Sequence, residues 1–303
     1  MMLCNRHVTG TVGIIGIGRM GLPVCARLTA AGLRVVAGDV RPEREQDARD
    51  AGAGWDPDPE RLVGQASVLI TVLPGSGELV DAMAVALGSL RPNSTWIDLT
   101  SAAPAAGMEL VARAHARGIE CLEAPMGGGV HAATTGTLQL FVGGRSDVVE
   151  RHRALLELLG RVEHVGDHGA GYTTKLLVNL LWFGQAVAVG EALLLARRAE
   201  IDLDVLRSAL GRSAAASDFV SRDLDRLLDG DYLESFGIDR CCEELAAVAA
   251  LADELDVPFE LSSTVERAYR AALTRYGPVD GELLAVALLE ERAGTRLRRS
   301  AAS

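Results

Sequence analysis

Three glycines near the start, Gly16, Gly18 and Gly21, restrict the fold more than any other feature of the 303-residue chain. They separate an apolar run, Thr11 to Ile15, from a helical pattern running from Met20 to about Ala31. A second apolar run, LRVVAGD, ends at Asp39, about 20 residues after Gly18. The order is strand, glycine loop, helix, strand and acid. In such a unit Gly16 permits the tight turn, Gly18 lets a pyrophosphate approach the backbone, and Gly21 lets helix and strand pack closely. The helix N-terminus then faces the phosphate charge. We therefore expect a dinucleotide site with Gly16, Gly18, Arg19, Met20 and Gly21 at the phosphates. Asp39 is expected to accept from the adenosine ribose, favouring NAD, with NADP possible because Arg41 follows two residues on.

Short strands alternate with helices up to about residue 168. A third strand from Val68 is closed by Leu73 and Pro74, which are candidate cofactor contacts, and a fourth spans Trp96 to Leu99. WDPDPE reads as a turn-rich connection and APMGGGVHAATTG as mostly loop. The expected class is α/β, with a Rossmann-type N-terminal domain (1–168), mostly parallel, followed by an all-helical C-terminal domain (169–303) for substrate and oligomer contacts.

The second domain opens on GAGYTTKLLVNLLWFGQAVAVGEALLLARRAE, expected to be one long interdomain helix. Its apolar stretch approaches membrane-span length, but Asn179, Gln185 and Glu191 interrupt it and Lys175 heads it, which favours burial by protein. Lys175 and Asn179, four apart, stack on one face ahead of Phe183, Val187 and Glu191. Taken alone the pair reads either as a site or as a snorkelling lysine beside a packing amide. The tail GTRLRRSAAS reads as a frayed basic end.

A formal charge of -11 argues against non-specific nucleic-acid binding. The five cysteines form no C-x-x-C pair and the start MMLCNRHVTG lacks a long apolar segment, so a reduced, cytoplasmic protein is expected. His164 and His168 straddle Gly166 and do not make a metal pattern.

Four stretches together resemble the β-hydroxyacid dehydrogenase family, whose members include 3-hydroxyisobutyrate dehydrogenases. They are GIIGIGRMGLPVCARLTAAG from Gly13, DLTSAAP from Asp98, EAPMGGGVHAATTGTL from Glu123 and GAGYTTKLLVN from Gly169. The resemblance implies that Lys175 is the catalytic acid/base, that Asn179 helps hold substrate, and that Thr100 and Ser101 lie near nicotinamide or substrate. It also implies that Gly127, Gly128 and Gly129 form the loop for a substrate carboxylate. Three departures stand out. Val178 replaces the first of two paired asparagines; Gly127 replaces a serine; and Glu243 and Glu244 stand where lysine and aspartate are usual, which makes Glu243 a possible cleft residue.

The resemblance thus implies an NAD-dependent oxidoreductase interconverting a β-hydroxy acid and its semialdehyde or keto form. Reduction of an imine or non-acidic carbonyl is the alternative chemistry, and a non-catalytic dinucleotide-binding sensor the alternative class. A small-molecule substrate, no nucleic-acid or membrane partner, and a homodimer or homotetramer are expected.

Overall fold

The computed structural model describes residues 10–299. Among them, contacts divide the chain into a first unit ending at Lys175 and a second beginning at Leu176. The first unit runs β1 (Thr11–Ile15), α1 (Gly21–Ala30), β2 (Arg34–Gly38), α2 (Glu45–Asp50), β3 (Gly54–Trp55), α3 (Pro59–Gln65), β4 (Ala66–Thr71), α4 (Ser76–Ser89), β5 (Thr95–Asp98), α5 (Pro104–His115), β6 (Glu120–Glu123), β7 (Met126–Gly127), α6 (Gly129–Thr135), β8 (Leu138–Gly143), α7 (Ser146–Leu156) and β9 (Gly160–Gly166). One sheet orders them β3-β2-β1-β4-β5-β6-β8-β7, with β9 on β8. Pairing is parallel except where β8 meets β6 and β7.

Side-chain alternation splits this sheet into two covered faces. On β4, Val68 and Ile70 enter one core and Leu69 the other; on β5, Ile97 and Trp96 divide likewise. β4 and β5 are buried on both faces, which is why their runs are largely apolar. Each fully buried Leu or Ile stabilises the unit by roughly 1.5–3 kcal/mol relative to exposure. The strand order reverses between β1 and β4, so the crevice at their C-terminal ends is where a doubly wound sheet takes its ligand.

α8 (Ala170–Arg198) joins this unit to a helical one comprising α9 (Leu203–Leu210), α10 (Leu224–Asp229), α11 (Ile238–Glu254), α12 (Glu260–Tyr276) and α13 (Leu284–Ala293). α8 has 29 residues, roughly 44 Å at 1.5 Å per residue. Phe183 and Val187 of α8 pack with Ile238, Leu245 and Tyr269, while Ala186, Leu193 and Ala196 join a second cluster with Leu203 and Leu224. Gly190 lets the helix pass close to Val286, whose Cγ1 would lie 2.9 Å from an added Cβ. By length and composition α8 qualifies as a membrane span, with a window of mean hydropathy 1.5. Only 33% of that window is buried within the chain, and Leu177, Val178, Leu181 and Leu195 are exposed, so a single chain does not bury the helix as expected.

Three sequence expectations are corrected. WDPDPE leads into a helix, α3, because Asp58 caps it by accepting from Glu60 and Arg61 N–H and Pro59 occupies its first turn. The segment after Pro125 is not mostly loop: β7 pairs with β8, and α6 starts at Gly129. The tail is tied down as far as Arg299. Leu297 is fully buried and its N–H donates to Glu290 (2.7 Å), while Arg299 pairs with Asp204, Asp225 and Asp229. The opening MMLCNRHVT, with Cys4, and the last four residues lie outside the described residues.

Candidate active site

Each glycine of the first loop meets a different constraint. Gly16 has φ 94° and donates its N–H to Gly38 O (2.9 Å); a Cβ there would overlap Val72 O. A Cβ on Gly21 would overlap Gly16 O, so that residue sets the close approach of α1. At Gly18 a Cβ would find only the Arg41 guanidinium, 3.6 Å away. The protein's own packing therefore does not require glycine at 18, and the cradle left there fits a pyrophosphate approaching the backbone. α1 has no side-chain cap at Met20 and no acid in its first turn, leaving its positive end open to an anion. Met20 itself packs on the core, whereas Arg19 is exposed.

Asp39 follows β2 directly, and its Oδ2 accepts from Ile17 N–H (2.9 Å), fixing it beside the loop. Burial pushes its carboxyl upward, but hydrogen bonds from Arg41 and from Ile17 outweigh this and hold it below the usual carboxylate range. Val40, next to it, is 98% exposed, an apolar surface beside Asp39. At the adjacent strand end, Leu73 N–H donates to Thr100 Oγ1 (3.2 Å). Thr100 is buried and its N–H donates to Asp98 (3.1 Å), so this residue ties the ends of β4 and β5 together. Ser101 is half-buried and Pro74 exposed in the loops beyond those strands.

Gly127 closes β7, opposite Gln139. A Cβ there would make only ordinary contacts, 3.6 Å from Gln139 and Phe141, so the missing serine is not a steric necessity. Gly128, at φ 107°, caps α6, and Gly129 follows at φ 67°; both occupy conformations that favour glycine.

Lys175 lies in the second turn of α8, half-buried. It is the only lysine among the chain's 30 lysines and arginines, a signal available from a simple count that the sequence reading did not use. Asn179 stands one turn on, and its Nδ2 donates to Glu244 Oε2 (2.6 Å). Glu243, the possible cleft residue, lies on the exposed side of α11. Its side chain is 57% exposed and paired with Arg240 (3.0 Å), whereas Glu244, one residue on, takes the inward face of α11 with Cys241 and Leu245. His164 binds the Gly144 and Gly166 carbonyls while His168 packs on His115. Among the described residues no three His, Cys, Asp or Glu form a metal-sized group.

Comparison with known proteins bears on this arrangement. The profile of the NAD-binding domain of 6-phosphogluconate dehydrogenase matches residues 11–169. That of the NAD-binding domain of NADP-dependent 3-hydroxyisobutyrate dehydrogenase matches residues 169–289. The 2-(hydroxymethyl)glutarate dehydrogenase of Eubacterium barkeri is 26% identical, over 83% of this chain and 85% of its own. Human mitochondrial 3-hydroxyisobutyrate dehydrogenase is 29% identical, covering 88% and 84%. A probable 3-hydroxyisobutyrate dehydrogenase of Mycobacterium tuberculosis is 33% identical over 66% and 70%.

Among solved structures, the M. tuberculosis 3-hydroxyisobutyrate dehydrogenase with L-serine superimposes with TM-score 0.84 at 24% identity, over 93% of this chain and 99% of that one. Psf3 in complex with NADP+ and 2-OPP does so with TM-score 0.81 at 25% identity, over 92% and 99%. The human, orangutan and mouse relatives are named as mitochondrial, which overturns the expected cytoplasmic address. These matches establish an enzyme using NAD(P) to transfer hydride to or from a hydroxy-acid-type substrate. The chain belongs to the 3-hydroxyisobutyrate dehydrogenase-like family of β-hydroxyacid dehydrogenases.

Proposed function

We propose that the enzyme oxidises a 2-substituted 3-hydroxypropionate to the corresponding semialdehyde, and reverses this, with Lys175 as general acid/base and NAD preferred. The observation carrying the reading is the single lysine of an arginine-rich chain at the start of α8. Bound NAD(P) supplies and accepts the hydride. Lys175 Nζ takes the hydroxyl proton during oxidation and returns it to the alkoxide during reduction. Asn179, held by Glu244, steadies a substrate oxygen without adding charge. Gly127, Gly128 and Gly129 offer backbone N–H groups to the carboxylate.

The substrate class follows from shared chemistry. 3-Hydroxyisobutyrate, 2-(hydroxymethyl)glutarate and serine, the compounds in the relatives' names, all carry a primary hydroxyl β to a carboxylate and differ at C2. NADH formation should therefore be measured against these three and against hydroxy acids lacking the β-hydroxyl. Turnover confined to the second group would sink the proposal. Lys175→Ala should keep NADH binding and lose most of kcat; an unchanged kcat removes Lys175 from the mechanism.

We further propose a homodimer or homotetramer, in which a second copy covers Leu177, Leu181 and Leu195 of α8. Sedimentation velocity should give at least twice 31.9 kDa, and Leu181→Arg should shift the protein to monomer.

A further inference from the structure

The first turn of α8 is moored to neighbouring strand ends by two buried carboxylates. Glu123, the last residue of β6, accepts from Gly169 N–H through Oε1 and from Tyr172 N–H through Oε2 (2.9 Å). Asp98, the last residue of β5, accepts from the Tyr172 hydroxyl (2.6 Å), from Thr71 Oγ1 at the end of β4 (2.6 Å) and from Thr100 N–H. Trp96 Nε1 in turn donates to Thr71 Oγ1 (2.9 Å). Three parallel strands thus converge on one helical turn, and Lys175 is three residues beyond Tyr172 on the same helix.

Glycines make room for these contacts. A Cβ on Gly143 would lie 2.7 Å from the Glu123 carboxyl, and one on Gly171 would lie 2.5 Å from Phe141 O and 3.0 Å from Glu123 Cγ. A Cβ on Gly107 would overlap the Tyr172 ring. Clearing three positions for two acids and a phenol is more than a cap alone requires, since a surface Ser or Asp satisfies the same N–H groups.

We infer that Glu123 and Asp98 are positioning residues for Lys175, fixing the height and rotation of the helical turn that presents its amine. This rests on the acid/base reading of Lys175. The moorings also set a local field: the positive N-terminus of α8 disfavours an ammonium in its second turn, and an ionised Glu123 offsets that. Burial pushes the Glu123 carboxyl up to about 7, so it is ionised in the alkaline range. The titratable and charged groups around it are Asp98 on β5, Tyr172 on α8, Cys121 on β6, and His168, whose Nδ1 is 3.9 Å away; behind His168 stand His115, Asp167 and Arg145.

Because Lys175 is the only lysine, reductive methylation with 13C-formaldehyde places an NMR probe on it and on the N-terminal amine, and Lys175→Arg identifies which signal is which. In Glu123→Gln, whose amide NH2 must face one of the two N–H donors, the Lys175 titration should fall by roughly half a pH unit. The kcat for the best substrate of the three above should fall roughly tenfold to a hundredfold with NADH affinity unchanged. Glu123→Asp should restore both. If Glu123→Gln does not fold, Tyr172→Phe tests the Asp98 mooring with the same kcat and NADH readouts. A folded Glu123→Gln or Tyr172→Phe with unaltered kcat overturns the inference, as does kcat loss matched by loss of NADH binding. Should Lys175→Ala retain kcat while Glu123→Gln still moves the lysine titration, the acid/base reading fails and the mooring stands.

Discussion

The Arg41 guanidinium closes on both carboxylate oxygens of Asp39, Nε to Oδ1 at 2.9 Å and Nη2 to Oδ2 at 3.1 Å, and Arg41 N–H adds a third bond at 3.0 Å. Asp39 is 4% exposed and Arg41 44%. The acid expected to read the ribose is therefore covered by a cation, and the pair carries a net charge near zero instead of negative. Removing the cation uncovers the carboxylate. Arg41→Ala should raise the NAD:NADP ratio of kcat/KM by about tenfold, and Asp39→Ala should lower it. Steady-state kinetics with both cofactors decide; a ratio unmoved by either change removes the pair from cofactor choice.

The Glu123 carboxyl has a stability signature with a definite sign. Burial raises it from 4.5 to about 7 in the folded chain, so between these values the folded state holds a proton the unfolded state has lost. Its contribution is fully present below pH 4.5 and is lost as pH rises through 7, a change of at most about 3 kcal/mol. Glu123→Gln lacks this loss. Its melting temperature relative to the parent should climb from pH 4.5 to 7 and level off above; a flat difference means that the carboxyl is not buried as a proton holder.

The legible parts of this molecule were those with local causes. The Gly16 loop, the alternation along β4 and the helical spacing after α8 each depend on residues within a few positions. α3 escaped because its cap and first-turn proline, Asp58 and Pro59, also spell a turn. α6 escaped because Gly128 and Gly129 start a helix through positive φ. The ordered tail was illegible for a different reason: Arg299 answers to acids 70 to 95 positions earlier, and sequence does not reveal which charges meet. Glu123 stood in a quoted motif, but its role depends on Gly169 and Tyr172, 46 and 49 residues away.

The tail pairs differ in depth, and so should their mutants. Arg299 makes exposed ion pairs, so Arg299→Ala should cost about 1 kcal/mol or less, vanishing in high salt. Glu290 is fully buried and takes Arg296, Arg298, Leu297 N–H and the Tyr232 hydroxyl. Ending the chain before Arg296 strips most of these partners from a buried charge, at roughly 3 kcal/mol with water partly replacing them. Chemical denaturation in low and high salt separates the two; equal salt dependence contradicts the assignment.

Gly18 and Gly21 should respond oppositely to alanine. At Gly21 the new methyl overlaps Gly16 O, so Gly21→Ala should destabilise the first unit and lower the melting temperature of the apoprotein. At Gly18 it meets only the Arg41 side chain at 3.6 Å, so the apoprotein should melt normally while NADH affinity falls. Calorimetry with and without NADH tests both, and an apoprotein destabilised by Gly18→Ala would mean the cradle is not reserved for ligand.

Gly127→Ser tests whether the loop of Gly127, Gly128 and Gly129 holds the substrate carboxylate. The ordinary 3.6 Å contacts of the added Cβ predict a folded protein with a new hydroxyl beside Gly128 and Gly129. A hydroxyl bonded to an anionic oxygen is worth roughly 1.5–3 kcal/mol, so KM for 3-hydroxyisobutyrate should fall about tenfold or more if that loop holds the carboxylate. Serine and 2-(hydroxymethyl)glutarate share the same carboxylate and should gain equally. A gain limited to one of the three would place the new hydroxyl against the C2 substituent and make Gly127 a selector of that group.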